Sequence, residues 1–173
     1  MRPTLRLPLT AVVLSLVSSV PLTATAAETR TQIVNAANGE VGQGETPPGS
    51  NCNPYGACES WCAHFATWTW RKAGSDIPNY GFTGDIYTWG QRKGRAHSGN
   101  TGMKPGDIVL YGTGPQNTST SLHTGVVVAT GNGKITTVEG NSHDKVQKLG
   151  PFDPKHAKNA GRPGNIYGWV SAQ

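Results

Sequence analysis

Three cysteines, Cys52, Cys58 and Cys62, fall within eleven residues of a 173-residue chain that also carries five histidines. A thiol becomes a nucleophile when its surroundings favour the thiolate and a base stands beside it. Which cysteine is available depends on the redox compartment, and the N-terminus speaks to that. Arg2 and Arg6 form a basic start, Leu9 to Val17 is an apolar run, and Ala24-Thr25-Ala26 is a small-x-small cleavage site. This is the pattern of a secretory leader over residues 1–26, too short and too quickly followed by Pro21 to read as a membrane anchor. In an oxidising compartment two cysteines pair and one is left over. Cys52 and Cys58 bracket the turn-forming segment CNPYGAC, and closing so short a loop contributes about 2 kcal/mol by chain entropy. Cys62 is then the odd thiol, open to three readings: a buried structural group, an intermolecular bridge or a nucleophile.

The base must come from His64, His97, His123, His143 or His156. His64 is two residues from Cys62 and points to another side of the same helix. His97, His143 and His156 lie in polar or glycine-rich segments. His123 opens the apolar run HTGVVVA, where a rigid strand can hold its ring. A turn centred on Asn132 pairs positions summing to 264, which sets His123 opposite Asn141 and Gly125 opposite Glu139. Period-two alternation then places Glu139 and Asn141 on the face of His123. Either could orient the imidazole of a Cys–His pair.

The elements that must position these groups follow from periodicity. Ile33, Val34, Ala37 and Val41 stand at helical spacing within 29–42. A second helix is expected from the cap Ser60 to Lys72, with Trp61, Phe65 and Trp68 on one face. Cys62 lies near its start, where unpaired N–H groups and the positive dipole end favour a thiolate. A third helix is expected over Thr83–Arg92. After the turn Lys104-Pro105-Gly106-Asp107 the pattern becomes strands, at Ile108–Tyr111, His123–Ala129, Ile135–Glu139, Lys145–Leu149 and Ile166–Val170. Helices first and antiparallel strands afterwards is an α+β arrangement, in one domain over residues 27–173.

Composition fits this reading. With 23 Gly and 12 Pro the chain is turn-rich, which argues against a helical bundle, and no segment is long and apolar enough to cross a membrane. The net charge of +5 falls to +3 once Arg2 and Arg6 leave with residues 1–26, and that modest basic excess favours an anionic polymer as partner without choosing one. The basic clusters Arg71-Lys72, Arg92-Lys93-Arg95 and Lys145–Lys158 would permit nucleic acid, but such runs are usually solvated faces, so none is expected as a ligand. Cys52, Cys58, Cys62 and His64 lack the spacing of a zinc site, and no metal or other cofactor is expected. A non-catalytic wall-binding module, with Trp61, Trp68, Trp70, Trp89 and Trp169 stacking on sugars, is the competing reading.

Four segments, in this order, carry a family resemblance: Ser60-Trp61-Cys62-Ala63-His64-Phe65, Lys104-Pro105-Gly106-Asp107-Ile108-Val109, His123-Thr124-Gly125-Val126-Val127 and Val138-Glu139-Gly140-Asn141. Over residues 29–171 the chain resembles the cysteine, histidine-dependent amidohydrolase/peptidase (CHAP) domain, a relative of the NlpC/P60 branch of papain-like folds. The resemblance implies N-terminal helices packed on an antiparallel sheet. It also implies a monomeric secreted or wall-associated enzyme that hydrolyses amide bonds of bacterial peptidoglycan, as an N-acetylmuramoyl-L-alanine amidase or an endopeptidase. In it Cys62 would be the nucleophile, His123 the base and Glu139 its orienting group, with Asn141 as polar support. His64 stands where the family commonly carries Asp. Some relatives bind calcium in the loop before the nucleophile, but Asn51, Asn53 and Tyr55 here, even with Glu59, make a poor calcium site.

Overall fold

Thr25 has an extended backbone and its hydroxyl accepts from the Glu28 N–H at 3.2 Å, so the first helix starts there, as α1 over Ala26–Gly39. In the computed structural model, which describes residues 25–172, this start is three residues earlier than the hydrophobic spacing indicates. The helix also stops earlier, and Val41 falls outside it, 45% exposed, while Ile33 and Ala37 point inward. The secretory leader expected over residues 1–26 lies outside the described residues except for its last two positions.

Helix α2 (Cys62–Lys72) begins later than the cap at Ser60 predicts. Trp61 occupies the cap position without a side-chain bond to the helix backbone, and the Phe65 N–H to Trp61 carbonyl bond of 2.9 Å opens the helix. Cys62 is therefore the first helical residue. The helix is buried nearly all round, with Arg71 and Lys72 placed at the negative end of its dipole. Helix α3 (Thr83–Arg92) has the expected limits.

Six strands form one antiparallel sheet: β1 (Ala96–Ser98), β2 (Ile108–Gly112), β3 (Ser121–Gly131), β4 (Lys134–Glu139), β5 (Gln147–Phe152) and β6 (Ile166–Val170), in the order β1-β6-β2-β3-β4-β5. Strand β1 has no alternation to betray it and exists because it pairs with β6, Ala96 against Val170. Strand β5 starts two residues later than expected, because His143 and Asp144 take positive φ and turn the chain first. A 3₁₀ segment at Pro154–Ala160, not anticipated, leads into the turn before β6.

Both faces of the sheet are covered, which explains the unbroken apolar runs in β2 and β3. Ile108, Leu110, Val126, Val128, Val138 and Val170 meet the three helices through Ile33, Phe65, Trp70, Ile86 and Trp89. Val109, Tyr111, Val127, Ile135, Ile166 and Trp169 form a second layer with Met103, Phe152 and Ala157. Arg30 of α1 ties the ends together: its Nη1 donates to Asp107 Oδ1 at 2.7 Å and to the Pro105 carbonyl, and its Nη2 to the Ala172 carbonyl. The expectation of helices packed on an antiparallel sheet holds. Among the described residues no helix is long and apolar enough to cross a membrane.

Candidate active site

The β3–β4 hairpin delivers the histidine and the carboxylate. Its turn is the two-residue Asn132-Gly133, both at positive φ, and not a three-residue turn centred on Asn132. Pairs next to the turn, such as Gly131 with Lys134, are accordingly one residue off the register read from the sequence. A bulge at Val128 absorbs that residue, and Val127 then faces Thr137 and Val126 faces Val138. The expected register is thus restored where the site begins. Beyond it Glu139 ends β4, and Asn141, at φ +55, turns away instead of pairing with His123.

Gly125 supplies the space that joins the two strands' side chains. A Cβ there would lie 2.6 Å from Glu139 Cγ, so the carboxylate arm lies across the bare glycine toward His123. Glu139 Oε2 is 2.9 Å from His123 Nε2 and accepts from Arg162 Nη1 at 2.9 Å. Oε1 accepts from Tyr111 Oη at 2.8 Å and Thr137 Oγ1 at 2.6 Å. All four neighbours serve a carboxylate with no exposed surface. Tyr111 pairs with His123 across β2–β3, and their rings stack 5.9 Å apart.

Helix α2 brings the thiol. Gly140 lets the end of β4 come against its first turn, since a Cβ there would sit 2.4 Å from Phe65 Cβ. Cys62 and His123 line one cleft of about 330 Å³, together with Ser60, Leu122, Asn141, Arg162 and neighbouring residues. With Nε2 held by Glu139, Nδ1 is the imidazole nitrogen left for the sulfur. Burial alone would pull the His123 pKa down, but its hydrogen bonds to Cys62 and Glu139 and their charges push it up to about 10. Burial would raise the Glu139 carboxyl, yet His123, Thr137 and Arg162 hold it below the ordinary carboxylate range. Burial and the Glu139 charge raise Tyr111 well above a normal phenol, which keeps its hydroxyl a donor.

Of the sequence candidates, the fold brings Cys62, His123 and Glu139 into one array. Asn141 stands at the cleft wall, and among the described residues its side chain makes no hydrogen bond to His123 or Glu139. His64 is elsewhere: Nδ1 is 2.9 Å from Asn79 Oδ1 and Nε2 is 2.9 Å from Glu59 Oε1. Gly56 packs so closely on the His64 ring that a Cβ would fall 2.4 Å from it. Cys52 and Cys58 form the expected disulfide, which takes both sulfurs from the zinc arrangement considered above, and Cys62 is a free, buried thiol. Sequence reasoning missed Tyr111, Thr137 and Arg162. Parity could have found the first two, since Thr137 is two residues from Glu139 on the same strand face and Tyr111 is one strand over. Arg162 sits in a turn, where spacing carries no signal.

Two other features bear on function. Trp61, Trp70, Trp89 and Trp169 are buried in the two core layers and have no face to offer a sugar, unlike the half-buried Trp68. A wider cleft of about 480 Å³ lies at the β3–β4 turn, between Asn100–Met103 and Asp153–Lys155, with neither a cysteine nor a histidine in its lining.

Solved structures of similar fold include the following three. The peptidoglycan hydrolase RipB from Mycobacterium tuberculosis superposes with a TM-score of 0.54 at 21% identity, over 84% of this chain and 65% of that one. Ly7917, solved with the hydrolysing product of MDP, gives 0.52 at 15% identity, over 83% and 62%. A mutated form of the Resuscitation Promoting Factor Interacting protein RipA gives 0.51 at 17% identity, over 85% and 62%. The chain thus spans a little under two thirds of each of these proteins. No curated protein matches it in sequence. The CHAP domain family model matches residues 53–141, a stretch that holds Cys62, His123, Glu139 and Asn141 and covers just over half the chain. This protein belongs to the CHAP domain family.

Proposed function

We propose that this protein is a peptidoglycan hydrolase that cuts an amide bond of wall peptides, with Cys62 as nucleophile, His123 as acid and base, and Glu139 as the group orienting His123. The observation that carries this reading is a thiol on the first residue of α2 sharing a cleft with a histidine whose far nitrogen is bound to a buried carboxylate. The family and the RipB likeness support peptidoglycan as substrate.

The chemistry follows from the placement. The Cys62 thiolate attacks the amide carbonyl carbon, and the carbonyl electrons move onto oxygen. That oxyanion forms beside the start of α2, where first-turn N–H groups lack intrahelical partners and can donate to it. His123 gives its proton to the departing amine, leaving a thioester on Cys62. It then takes a proton from water as the water oxygen attacks the thioester, which releases the acid and restores the thiolate. Glu139, fixed by Tyr111, Thr137 and Arg162, stabilises the imidazolium in each half of the cycle. Asn141, at the cleft wall, is a secondary polar support. In this reading the protein acts as a monomer.

Residues 1–26 direct export and residues 27–173 are the mature domain; the Cys52–Cys58 disulfide fits an extracellular or wall-associated location. The decisive test is mass spectrometry of fragments released from defined peptidoglycans. N-acetylmuramic acid freed of peptide, with a new amine on the first stem residue, identifies an amidase; new amine and carboxyl termini inside peptides still attached to muramic acid identify an endopeptidase; intact substrate refutes the hydrolase reading.

A further inference from the structure

Arg162 lies in the turn before β6, between Gly161 at φ +81 and Pro163, outside the segment matched by the family model. Its Nη1 donates to Glu139 Oε2, the oxygen that also meets His123. A guanidinium carries five N–H donors. Among the described residues Glu139 is the one acceptor that meets this guanidinium, and Nε is buried with no partner at all. The side chain is 11% exposed, and the residue lines the cleft beside Cys62 and His123.

Nε is sealed from the cleft, so a ligand reaches this side chain along its Nη1–Nη2 edge, where among the described residues Nη2 has no protein acceptor. The cleft itself supplies none of the right kind. Its lining includes Arg162, His123 and His143 but no carboxylate, because Glu139 lies behind it and is already shared between two cationic partners. An acceptor for Nη2 therefore comes from what enters the cleft. A planar, two-oxygen anion matches the guanidinium fork best.

Resting on the amide-hydrolase reading, we propose that Arg162 forms a carboxylate subsite, binding a free carboxylate of the wall peptide next to the scissile amide while Nη1 remains on Glu139. A carboxamide in the same place would present an N–H₂ group to a row of N–H donors. The enzyme should therefore discriminate between peptides whose side-chain and terminal carboxylates are free and peptides in which they are amidated. That is a selection by amidation state, made within the catalytic cleft.

The test compares kcat/KM on an N-acetylmuramoyl stem peptide with free carboxylates and on the same peptide amidated. The native enzyme should favour the free form about ten- to hundredfold, the range of a charge-assisted bond. Arg162→Gln should abolish the preference chiefly through KM, and Arg162→Lys, a point charge without the fork, should keep part of it. Equal cleavage of both peptides by the native enzyme would overturn the subsite. So would an Arg162→Gln protein that slows on both peptides equally and shifts its pH profile, since Arg162 would then act only through Glu139. A binding arm separates this from the hydrolase reading: the uncleaving Cys62→Ala protein is titrated calorimetrically with each peptide, with and without Arg162→Gln. If the native protein cuts neither peptide, the hydrolase reading fails. Tighter binding of the free-carboxylate peptide that vanishes with Arg162→Gln still supports the subsite, and equal or absent binding sinks it.

Discussion

Gly125 and Glu139 face one another across β3 and β4, with only 2.6 Å between the Glu139 Cγ and the place a Cβ on Gly125 would occupy. The glycine is the trough through which the carboxylate reaches His123. Its absent side chain therefore bears on the chemistry as well as on packing. Gly125→Ala should push Glu139 off His123 Nε2 at an overpacking cost of about 1–3 kcal/mol. Turnover should fall at least tenfold while circular dichroism stays native. A Gly125→Ala enzyme with native kcat would show that the close approach is dispensable.

Cys62→Ser should remove wall hydrolysis and leave the fold intact, because the volume change is small and a hydroxyl at that position is a far poorer nucleophile. Iodoacetamide should modify one cysteine without prior reduction, and peptide mapping should place it at Cys62 with Cys52 and Cys58 still linked. Undiminished activity in Cys62→Ser would eliminate the thiol mechanism.

The three groups around the imidazole should separate by magnitude. His123→Ala loses both proton transfers and the partner of the thiolate, so it should fall by at least the 10²–10⁴-fold typical of general acid–base loss, which is about what such a step contributes. Glu139→Gln keeps an acceptor on Nε2 and should retain measurable turnover. Asn141 hydrogen-bonds neither His123 nor Glu139 among the described residues, so Asn141→Ala should lie between native and Glu139→Ala. The reverse order of Glu139→Ala and Asn141→Ala would transfer the orienting role to Asn141.

The pH dependence has a definite sign. The raised His123 pKa means the folded state binds that proton more tightly than the unfolded chain, whose histidine titrates near ~6.5. Its stabilising contribution is complete below that value and is lost as pH rises through about 10. For Glu139, held low, the contribution is present above the ordinary carboxylate range and disappears as pH falls through its lowered value. If the imidazolium is the active form, the alkaline limb of kcat/KM should sit near 10 and move toward neutrality in Glu139→Gln. An alkaline limb that stays in place in Glu139→Gln would show that Glu139 does not set the His123 charge.

Much of the architecture is local in origin and therefore legible. Helix α3 and strand β6 have the limits that their apolar spacing and breakers indicate, because their neighbours in sequence supply the needed signals. The same holds for the nucleophile candidate: a leftover thiol at a helix start is a statement about adjacent residues and compartment. Strand parity placed Glu139 beside His123, since side chains alternate whatever the fold around them.

Other features needed the third dimension. The hairpin register came right because a two-residue turn, which the Asn132-Gly133 dipeptide favours, is cancelled by a bulge at Val128, and that bulge is not written in HTGVVVATGNGKITTVEG as a pattern. Strand β1 exists only through its pairing with β6. His64, adjacent to the nucleophile in sequence, is drawn away by Asn79 and Glu59, whereas Arg162, a hundred residues from Cys62, lines the same cleft. Sequence by itself determined the chemistry available and the periodic elements that carry it, because propensity and alternation act over a few residues. Only the tertiary structure decided which loop residues enter the cleft and which close approaches demand glycine. Those depend on chain segments far apart in sequence meeting at distances of a few ångströms, and local interactions do not encode such distances.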